Sequence, residues 1–310
     1  MNNFKYSDSN KRYYQLDYYY KHKFNCKVAK ISLDAGFTCP NKDGTKGLGG
    51  CIYCSKLGSG DFAGNKNDGI ITQFNKIKEM ISNKWKNTKY IGYFQANTNT
   101  YASVSKLKEV FEPIIKLENV LGIAIATRSD CLDNAILDYL EDINKRCYLS
   151  VELGLQTINK KTNKLLNRCE SLEEFENAVK NLRKRNIEVV IHIINSLPYE
   201  KETDMLNTVK YLNKLDIQGI KIHMLHIIKN TKLEKLYKEK PFKLLTKDEY
   251  IDIVIKQIEL LKENIFIHRL TGDPNKEELI EPIWTIKKID VLNGIDKEMK
   301  KRDTYQGIKS

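Results

Sequence analysis

Two patterns of apolar residues alternate along the chain. Short runs rich in β-branched and aromatic residues predict strands, and longer stretches with apolar residues every three to four positions predict amphipathic helices. The predicted strands lie at 27–33, 89–95, 121–127, 148–153, 187–194 and 219–225. The predicted helices lie at about 70–86, 103–117, 132–144, 172–185 and 202–215. Several strand segments are apolar on both faces, which is typical of parallel strands covered by helices.

These elements predict an α/β fold. Six β/α units between residues 27 and 240 are too few for a closed eight-unit barrel, so we expect a partial (β/α)6 TIM-like barrel. After residue 240 the pattern changes to a long helix at about 246–263, a short strand in "IFIHRL" and a charged helix at about 277–302. We therefore divide the chain into an N-terminal extension (1–26), the barrel (27–240) and an α-rich C-terminal extension (241–310) packed on the barrel.

Three helices begin at residues with the chemistry of N-terminal caps. Ser103 precedes the second predicted helix, and Ser171 with Glu174 three residues later forms the pattern of a capping box. The pair Glu202–Thr203 opens the helix at 202–215.

Composition and charge narrow the class of protein. Of 310 residues, 41% are hydrophobic and 30% are charged, as in soluble globular proteins. The start "MNNFKYSDSNKR" has no apolar core, and the longest apolar runs are too short to span a membrane, so we expect a cytoplasmic protein without membrane contact. The net charge of +12 permits a polyanionic partner, but only eight of the 52 basic residues are arginine. Most of the lysines are expected to solvate the surface.

Seven cysteines, an odd number without a secretory signal, favour metal-binding or catalytic thiols over a disulfide framework. Cys39, Cys51 and Cys54 lie together in "CPNKDGTKGLGGCIYC", directly after the first strand. Loops in this position carry function in parallel α/β folds. Glycines at 44, 47, 49 and 50 allow this loop to wrap tightly. The other thiols, Cys131, Cys147 and Cys169, are expected to be ordinary.

Two kinds of metal site are compatible with this loop. A structural zinc ion needs four ligands and would recruit Cys26. A four-iron cluster held by three thiolates keeps one iron open for a substrate or cofactor. Cys26 precedes the first strand and therefore lies at the opposite end of it from the loop, at roughly 3.3 Å per residue. We therefore expect three protein ligands and an iron–sulfur cluster.

The segment "DAGFTCPNKDGTKGLGGCIYCSKLGSGDF" resembles the cluster loop of the radical S-adenosylmethionine (radical SAM) proteins of the YhcC/YtqA type. This group is related to the catalytic subunit of Elongator but lacks its acetyltransferase domain. The similarity covers nearly the whole chain, and its motifs fall on successive strand ends. They are "YFQANTNTYA", "IATRSDCL", "VELGLQT", "IHIINSLPYE", "GIKIHMLHIIKNTKL" and "HRLTGDP".

The resemblance implies a cofactor and a type of reaction. Cys39, Cys51 and Cys54 would bind a 4Fe-4S cluster, whose open iron takes the amino and carboxylate groups of S-adenosylmethionine. One electron from the cluster would then cleave a sulfur–carbon bond and release a 5′-deoxyadenosyl radical. An electron donor such as flavodoxin or ferredoxin would reduce the cluster.

The resemblance also implies contacts with the bound cofactor. Tyr53, inside the C-x-x-C pair, would pack beside the adenine. Gln95, Asn97 and Thr98, within 95–100, would present acceptors to the methionine amino group.

Two charged residues at strand ends would complete the cofactor site. Arg128 would neutralise the methionine carboxylate, and Glu152 would accept a hydrogen bond from a ribose hydroxyl. The structural alternative for both residues is an ion pair at the barrel mouth.

The turn after the fifth strand would contact the adenine through Leu197. Relatives carry a Gly-Leu-Pro-Gly-Glu-type sequence there, whereas this chain has "NSLPYE". Ser196 and Tyr199 therefore occupy the glycine positions.

Four histidines lie in or near the later strands. His192 and His223 are expected to be core or barrel-lining groups. His226 and His268 are near strand ends, where a substrate role is the alternative to a structural one.

The N-terminal segment "KRYYQLDYYYKHKF" (11–24) combines tyrosines with basic residues. Aromatic rings beside cations can grip single-stranded nucleic acid. The alternative, which we favour, is a helix whose tyrosines pack on the barrel.

The resemblance to Elongator-like proteins suggests tRNA as a partner and wobble uridine as the target, with a 5-aminomethyl-uridine-type side chain. A flipped base at a barrel mouth is physically reasonable. A radical SAM enzyme acting on a small molecule or peptide is the first alternative. A zinc-stabilised RNA-binding module without catalysis is the second.

Overall fold

The computed structural model describes residues 4–55, 58, 63–86 and 88–310. Its centre is a curled sheet of seven parallel strands in the order β1-β2-β3-β4-β5-β6-β8. These strands are β1 (Val28–Leu33), β2 (Lys89–Phe94), β3 (Val120–Thr127), β4 (Tyr148–Gln156), β5 (Glu188–Asn195), β6 (Gly219–Met224) and β8 (Phe266–Arg269). Two further strands, β7 (Ile227–Ile228) and β9 (Leu279–Glu281), pair antiparallel. The α/β partial barrel expected from the sequence is confirmed.

Ten helices lie in the described part of the chain; most of them follow a strand and pack on the outer face of the sheet, whereas the first precedes β1. They are α1 (Leu16–Phe24), α2 (Ile70–Ser82), α3 (Val104–Ile115), α4 (Asn134–Arg146), α5 (Lys160–Leu165), α6 (Leu172–Lys184), α7 (Glu202–Leu212), α8 (Lys232–Glu239), α9 (Lys247–Leu260) and α10 (Lys288–Lys301). Within the described ranges, no helix is both long and apolar enough to cross a membrane.

Side chains alternate between the two faces of the sheet, as β1 illustrates. Ala29, Ile31 and Leu33 are buried in the main hydrophobic core under the helices. Lys30 and Ser32 point the other way and line a cavity inside the barrel. A one-residue slip in register would exchange these two sets, so the apolar face fixes which residues reach the cavity.

The sheet has one strand more than the six β/α units predicted. The short strand in "IFIHRL" becomes β8, which pairs in parallel with β6 through Gly219 and Phe266. The C-terminal extension therefore contributes to the barrel sheet itself. Because β8 pairs with the backbone edge of β6, that edge no longer presents unpaired hydrogen-bonding groups.

The last helix is shorter than the predicted range of 277–302. Residues 279–281 form β9, a short 3-10 turn covers 283–286, and the helix proper begins at Lys288. Pro282 separates these pieces, and its ring nitrogen has no hydrogen to donate to a helix ladder.

Helix starts follow the predicted caps at two of three places. The Ser103 hydroxyl accepts from the Lys106 amide, and Ser171 forms a capping box with Glu174. At α7 the cap is Lys201 instead of the predicted Glu202–Thr203 pair. There the carboxylate of Asp204 accepts from the Lys201 amide at 2.9 Å.

Helix α1 closes the end of the barrel where the strands begin. Tyr20 is buried against Tyr93 and Tyr148 on the inner face of the sheet. Tyr19 stacks on Phe266 with ring centroids 4.0 Å apart. These tyrosines pack on the barrel, as the favoured interpretation of the segment expects.

Candidate functional site

A cavity of about 560 Å³ lies inside the barrel above α1. Its lining combines the loop after β1, the carboxyl ends of the strands and several inward side chains from strand interiors. We call the part formed by Cys39, Cys51 and Cys54 the cysteine end. We call the deeper part, formed by residues within the strands, the lysine end; its members are Lys30, Tyr93, Glu152, Lys221 and His268.

The cysteine loop is held in place by backbone hydrogen bonds. The amide of Gly50 donates to the carbonyl of Asn41 at 2.7 Å, which brings the start of the loop beside its end. Gly50 has φ +76°, a conformation that side chains with a Cβ rarely adopt. The amide of Ile52 donates to the carbonyl of Leu166, which ties the loop to the end of α5. The loop therefore has a defined shape between two fixed elements.

The thiols of Cys51 and Cys54 interact with each other. A hydrogen bond from Cys54, followed by the positive charges of Arg168 and Arg128, lowers the pKa of Cys51 to about 6. The side-chain amide of Asn41 also donates to the Cys51 sulfur at 3.4 Å. These groups favour the thiolate form, which is the form that binds metal.

Two buried arginines lie behind the cysteine loop. Arg168 donates to the Tyr53 hydroxyl at 3.3 Å and forms an ion pair with Glu170. Arg128 forms a two-pronged ion pair with Asp130, at 2.9 and 2.8 Å. Arg128 thus makes the ion pair that was the structural alternative, and its contact with a methionine carboxylate remains a prediction.

The predicted acceptors after β2 do reach the cavity. Gln95, Asn97 and Thr98 all line it, as does Tyr53. The side-chain oxygen of Asn97 accepts from Lys42 at 2.9 Å. Their roles toward the methionine amino group and the adenine remain predictions.

Glu152 occupies the centre of the lysine end. Its side chain is fully buried, and one carboxylate oxygen accepts from Lys30 at 2.6 Å. The other accepts from Lys221 and, at 2.8 Å, from Nε2 of His192. These bonds correspond to the ion-pair alternative, here deep in the barrel instead of at its mouth. The predicted bond with a ribose hydroxyl remains a prediction.

Burial and charge act in opposite directions on this network. Burial disfavours a charged carboxylate, but the ammonium groups of Lys221 and Lys30 hold the pKa of Glu152 well below its ordinary value. Burial lowers the pKa of Lys221 to about 7, because the opposing effect of the Glu152 carboxylate is smaller and the positive charge of Lys30 adds to the lowering. The single carboxylate of Glu152 is thus the ion-pair partner of both lysines.

All four barrel histidines line the cavity, and each is neutral near pH 7. Burial, chiefly, lowers the pKa of His192 and His226 to about 4 and that of His223 and His268 well below the ordinary value. Among the described residues, Nε2 of His226 and Nε2 of His268 have no hydrogen-bond partner.

Leu197 and Cys26 lie away from the site. Leu197 is buried in a separate apolar cluster with Ile52 and Leu166 and does not line the cavity, so its predicted adenine contact gains no support. Ser196 and Tyr199 adopt φ of 69° and 64°, the conformation that glycine would supply in relatives. Cys26 precedes β1, at the opposite end of that strand from the loop.

Several polar residues that line the cavity were not predicted as site residues: Lys30, Gln156, Arg168, Lys221, Arg269 and Asp273. Two of them had a signal in the sequence. Lys30 in "VAKISL" and Lys221 in "GIKIHM" are single lysines inside otherwise apolar strands. Lysine is rarely buried without a partner, so such a position indicates a function or an ion pair.

Three thiols in one loop are a donor set compatible with a four-iron cluster that keeps one iron open. In the parts of the chain that the structure describes, no three His, Cys, Asp or Glu side chains converge closely enough to hold one metal ion. A four-iron cluster binds each cysteine at a separate iron corner, so its ligands need not converge on one point. The lowered pKa of Cys51 and the amide donated by Asn41 also fit sulfur ligation.

Comparison with known proteins supports the same family. The profile of the Radical SAM superfamily matches residues 44–212, and that of the Radical_SAM C-terminal domain matches residues 217–301. The chain belongs to the radical SAM superfamily. It is 48% identical over 306 residues to the uncharacterized protein YtqA of Bacillus subtilis, which covers 99% of this chain and 95% of that protein. Protein YhcC of Escherichia coli is 30% identical over 263 residues, with 84% of each chain covered.

Solved structures share the fold of this radical SAM protein. The Elp3 protein of the archaeon Methanocaldococcus infernus superposes with a TM-score of 0.69 at 16% identity, covering 91% of this chain and 64% of that one. Methylornithine synthase (PylB) superposes with a TM-score of 0.52 at 13% identity, covering 94% and 87%.

The predicted membership in the YhcC/YtqA type is confirmed, and the protein is a radical SAM enzyme. Its family implies a 4Fe-4S cluster and S-adenosylmethionine. The non-catalytic zinc module is therefore not supported. A zinc site would also need Cys26, which lies at the wrong end of β1.

Proposed function

We propose that this radical SAM enzyme binds a 4Fe-4S cluster through Cys39, Cys51 and Cys54 and cleaves S-adenosylmethionine reductively. The observation that carries the proposal is that all three thiols line one end of a single cavity, with Gln95, Asn97 and Thr98 on its wall. When bound, the cluster supplies one electron and an open iron for the cofactor, which yields the 5′-deoxyadenosyl radical.

The chain's own residues bind and orient these groups. Asn41 donates to the Cys51 sulfur, and the positive charges of Arg128 and Arg168 stabilise its thiolate. The hydroxyl of Tyr53 accepts from Arg168, which orients the ring at the edge of the cavity. Helix α1 closes the far end, so that the cavity is sheltered from water on that side.

The electron donor is proposed to be a flavodoxin or ferredoxin that docks beside the cysteine loop. Leu48, in this loop, is 75% exposed, which is unusual for a large apolar side chain. The ammonium of Lys232 contacts the Leu48 carbonyl at 3.3 Å, so a positive charge lies beside this apolar residue. Leu48→Glu is expected to slow reduction of the cluster by the donor protein, but not by dithionite.

For the substrate, we propose tRNA wobble uridine, modified toward a 5-aminomethyl-uridine-type side chain. The support is the YhcC/YtqA-type family, its likeness to Elongator-type proteins, and the net charge of +12. A base extruded from the anticodon stack would enter the mouth of the cavity.

The N-terminal segment does not add to this support. Lys11, Arg12, Lys21 and Lys23 form ion pairs with Asp296, Asp303, Asp8 and Glu188, respectively. Its tyrosines are used in packing, because Tyr20 is buried and Tyr19 stacks on Phe266. Any tRNA-binding surface is therefore expected to lie around the cavity mouth.

The test is anaerobic reconstitution followed by reduction. We expect iron and sulfide in the wild-type protein and release of 5′-deoxyadenosine and methionine, with both lost in Cys39→Ala. Cys26→Ser is the matched control and should retain the cluster. Stoichiometric zinc without iron, or loss of the cluster in Cys26→Ser, would overturn the proposed cofactor site.

The substrate is tested separately by mass spectrometry of tRNA nucleosides from a deletion strain. We expect a wobble-uridine side chain to change, and complementation with Cys39→Ala not to restore it. Unchanged nucleosides would exclude the tRNA substrate and leave the radical chemistry in place.

A further inference from the structure

The lysine end contains more positive than negative charge. Both Lys30 and Lys221 bind the single carboxylate of Glu152, which is the only carboxylate in salt-bridge range of either lysine in the described part of the chain. Arg269, which also lines the cavity, shares the carboxylate of Asp273 with Lys288, so Asp273 does not offset the positive charge of the lysine end.

A surplus buried cation is costly unless a counter-charge accompanies it. Removing an unpaired ammonium group from water is opposed by several kcal/mol even after relaxation. The lysine side chains are only 15% and 9% exposed, so bulk water gives little compensation. Burial lowers the pKa of Lys221 to about 7, whereas Glu152 overcomes burial and raises the pKa of Lys30, so the one carboxylate keeps only Lys30 fully charged. An anion in the cavity would keep both lysines charged.

A histidine adds a neutral donor to the same wall. Nδ1 of His268 accepts from Lys30 at 3.5 Å, so the single ring proton of the neutral imidazole lies on Nε2. The His268 side chain is 1% exposed, and its Nε2 has no hydrogen-bond partner among the described residues. A buried N–H without an acceptor is a second, independent indication that an acceptor group binds there.

We propose that Lys30, Lys221 and His268 form a binding site for an anionic group of the substrate, either a carboxylate or a phosphate. The site rests on the proposed function only in taking this cavity as the substrate chamber. Because α1 blocks the far end, the substrate enters from the mouth with its anionic group leading. The atoms behind that group then lie between the lysine end and the cysteine end.

The test measures binding of two simple anions, acetate and inorganic phosphate, to the reconstituted protein saturated with S-adenosylmethionine. Isothermal titration calorimetry at pH 6.5 in chloride-free buffer gives affinity and stoichiometry. We expect one equivalent of anion to bind to the wild-type protein. In Lys221→Gln and Lys30→Gln the affinity should be at least about tenfold lower. Lys180→Gln, an exposed lysine on α6, is the matched control and should bind like the wild type.

Glu152→Gln is the most discriminating variant, because it should raise the affinity for the anion whereas the lysine variants lower it. Removing the competing carboxylate leaves two lysines for the anion, so binding should tighten. Should Lys221→Gln fail to fold, Lys30→Gln and Glu152→Gln still test the site with opposite expected signs. Binding of acetate but not phosphate assigns the substrate group as a carboxylate, and the reverse assigns a phosphate.

Three results would overturn the proposal: no saturable binding of either anion, wild-type affinity in both lysine variants, or anion binding that occurs only when S-adenosylmethionine is omitted. The last would mean that the lysines serve the cofactor's own carboxylate. Release of 5′-deoxyadenosine is measured on the same samples. A protein that binds the anion but does not cleave the cofactor would refute the proposed function and leave the anion site standing.

Discussion

The two ends of the cavity contain reactive groups for different physical reasons. At the cysteine end the groups belong to a loop whose shape is held by backbone hydrogen bonds, and its three thiols line the cavity. At the lysine end the groups belong to strand interiors, where Glu152, Lys30 and Lys221 neutralise each other. The first end has side chains positioned for an incoming ligand, and the second has side chains that already bind one another.

The difference shows where a barrel tolerates polar chemistry. A loop at the strand ends can change its residues with little effect on the core. A charge in a strand interior must bring its counter-charge from another strand, because burial without one is unfavourable. We therefore expect mutations at the cysteine end to remove function and mutations at the lysine end to remove stability as well.

The largest effect is expected for the cluster ligands. Cys51→Ala and Cys54→Ala should reduce bound iron from about four per chain to near zero, because two thiolates cannot hold the cluster. The free energy of unfolding of the metal-free protein should change little, since the loop is outside the main core. Iron analysis and urea unfolding check the two parts. Cys147→Ala is the control, and a cluster retained in Cys51→Ala would refute the ligand assignment.

Glu152→Gln should lower the free energy of unfolding by about 3–5 kcal/mol, the usual result of breaking a buried ion pair on one side. The exposed pair between Lys106 and Glu109 provides the control, and Glu109→Gln should cost less than about 1 kcal/mol. Urea unfolding at pH 7 measures both. A small effect in Glu152→Gln would show that the two lysines lose their charge without difficulty, and the contrast between the two ends would fail.

Tyr20→Ala should cost about 3–5 kcal/mol of stability, because a large buried side chain leaves a cavity against Tyr148 and Tyr93. Tyr18, on the same helix, is only half-buried, and Tyr18→Ala should cost much less. Thermal unfolding separates the variants. Equal losses would mean that α1 does not close the barrel end through Tyr20.

Glu200 provides a comparison with Glu152, because it is a largely buried carboxyl group that has no salt bridge among the described residues. One oxygen accepts from the Thr157 hydroxyl at 2.6 Å, and the other has no hydrogen-bond partner in that part of the chain. Burial raises the pKa of Glu200 to about 7 from 4.5, opposite in direction to Glu152.

The sign of the pH effect follows from that raised pKa. The folded state binds the Glu200 proton more tightly than the unfolded state, so the contribution of Glu200 to stability is most favourable below about pH 4.5 and is lost as pH rises toward 7. The loss should reach about 3 kcal/mol above pH 7. Glu200→Gln should be more stable than the wild type at pH 8 but not at pH 4.5, as measured by urea unfolding. The same difference at both values would exclude titration of Glu200 as the cause.

The sequence determined the strand order, the cysteine loop and the family, because each depends on local information. Apolar periodicity marked the six main strands, with most ends within a residue or two, and the spacing of Cys39, Cys51 and Cys54 marked the loop. Ser171 with Glu174 marked the start of α6, since a cap involves only residues close together in the chain. The charged C-terminal helix was placed less well, because its start depends on the pairing of β7 with β9.

Only the tertiary structure decided which residues the inward-facing side chains of the strands contact. Periodicity shows that Lys30 and Lys221 interrupt apolar strands, but it cannot show that both bind Glu152 from a third strand, 122 and 69 residues away in sequence. Nor can it show that β8 joins the sheet or that the N-terminal tyrosines close the barrel. These contacts arise when the sheet curls and brings its two edges together, as the contact between Lys30 on β1 and His268 on β8 records. Curvature is a property of the whole sheet, so no single segment of sequence contains it.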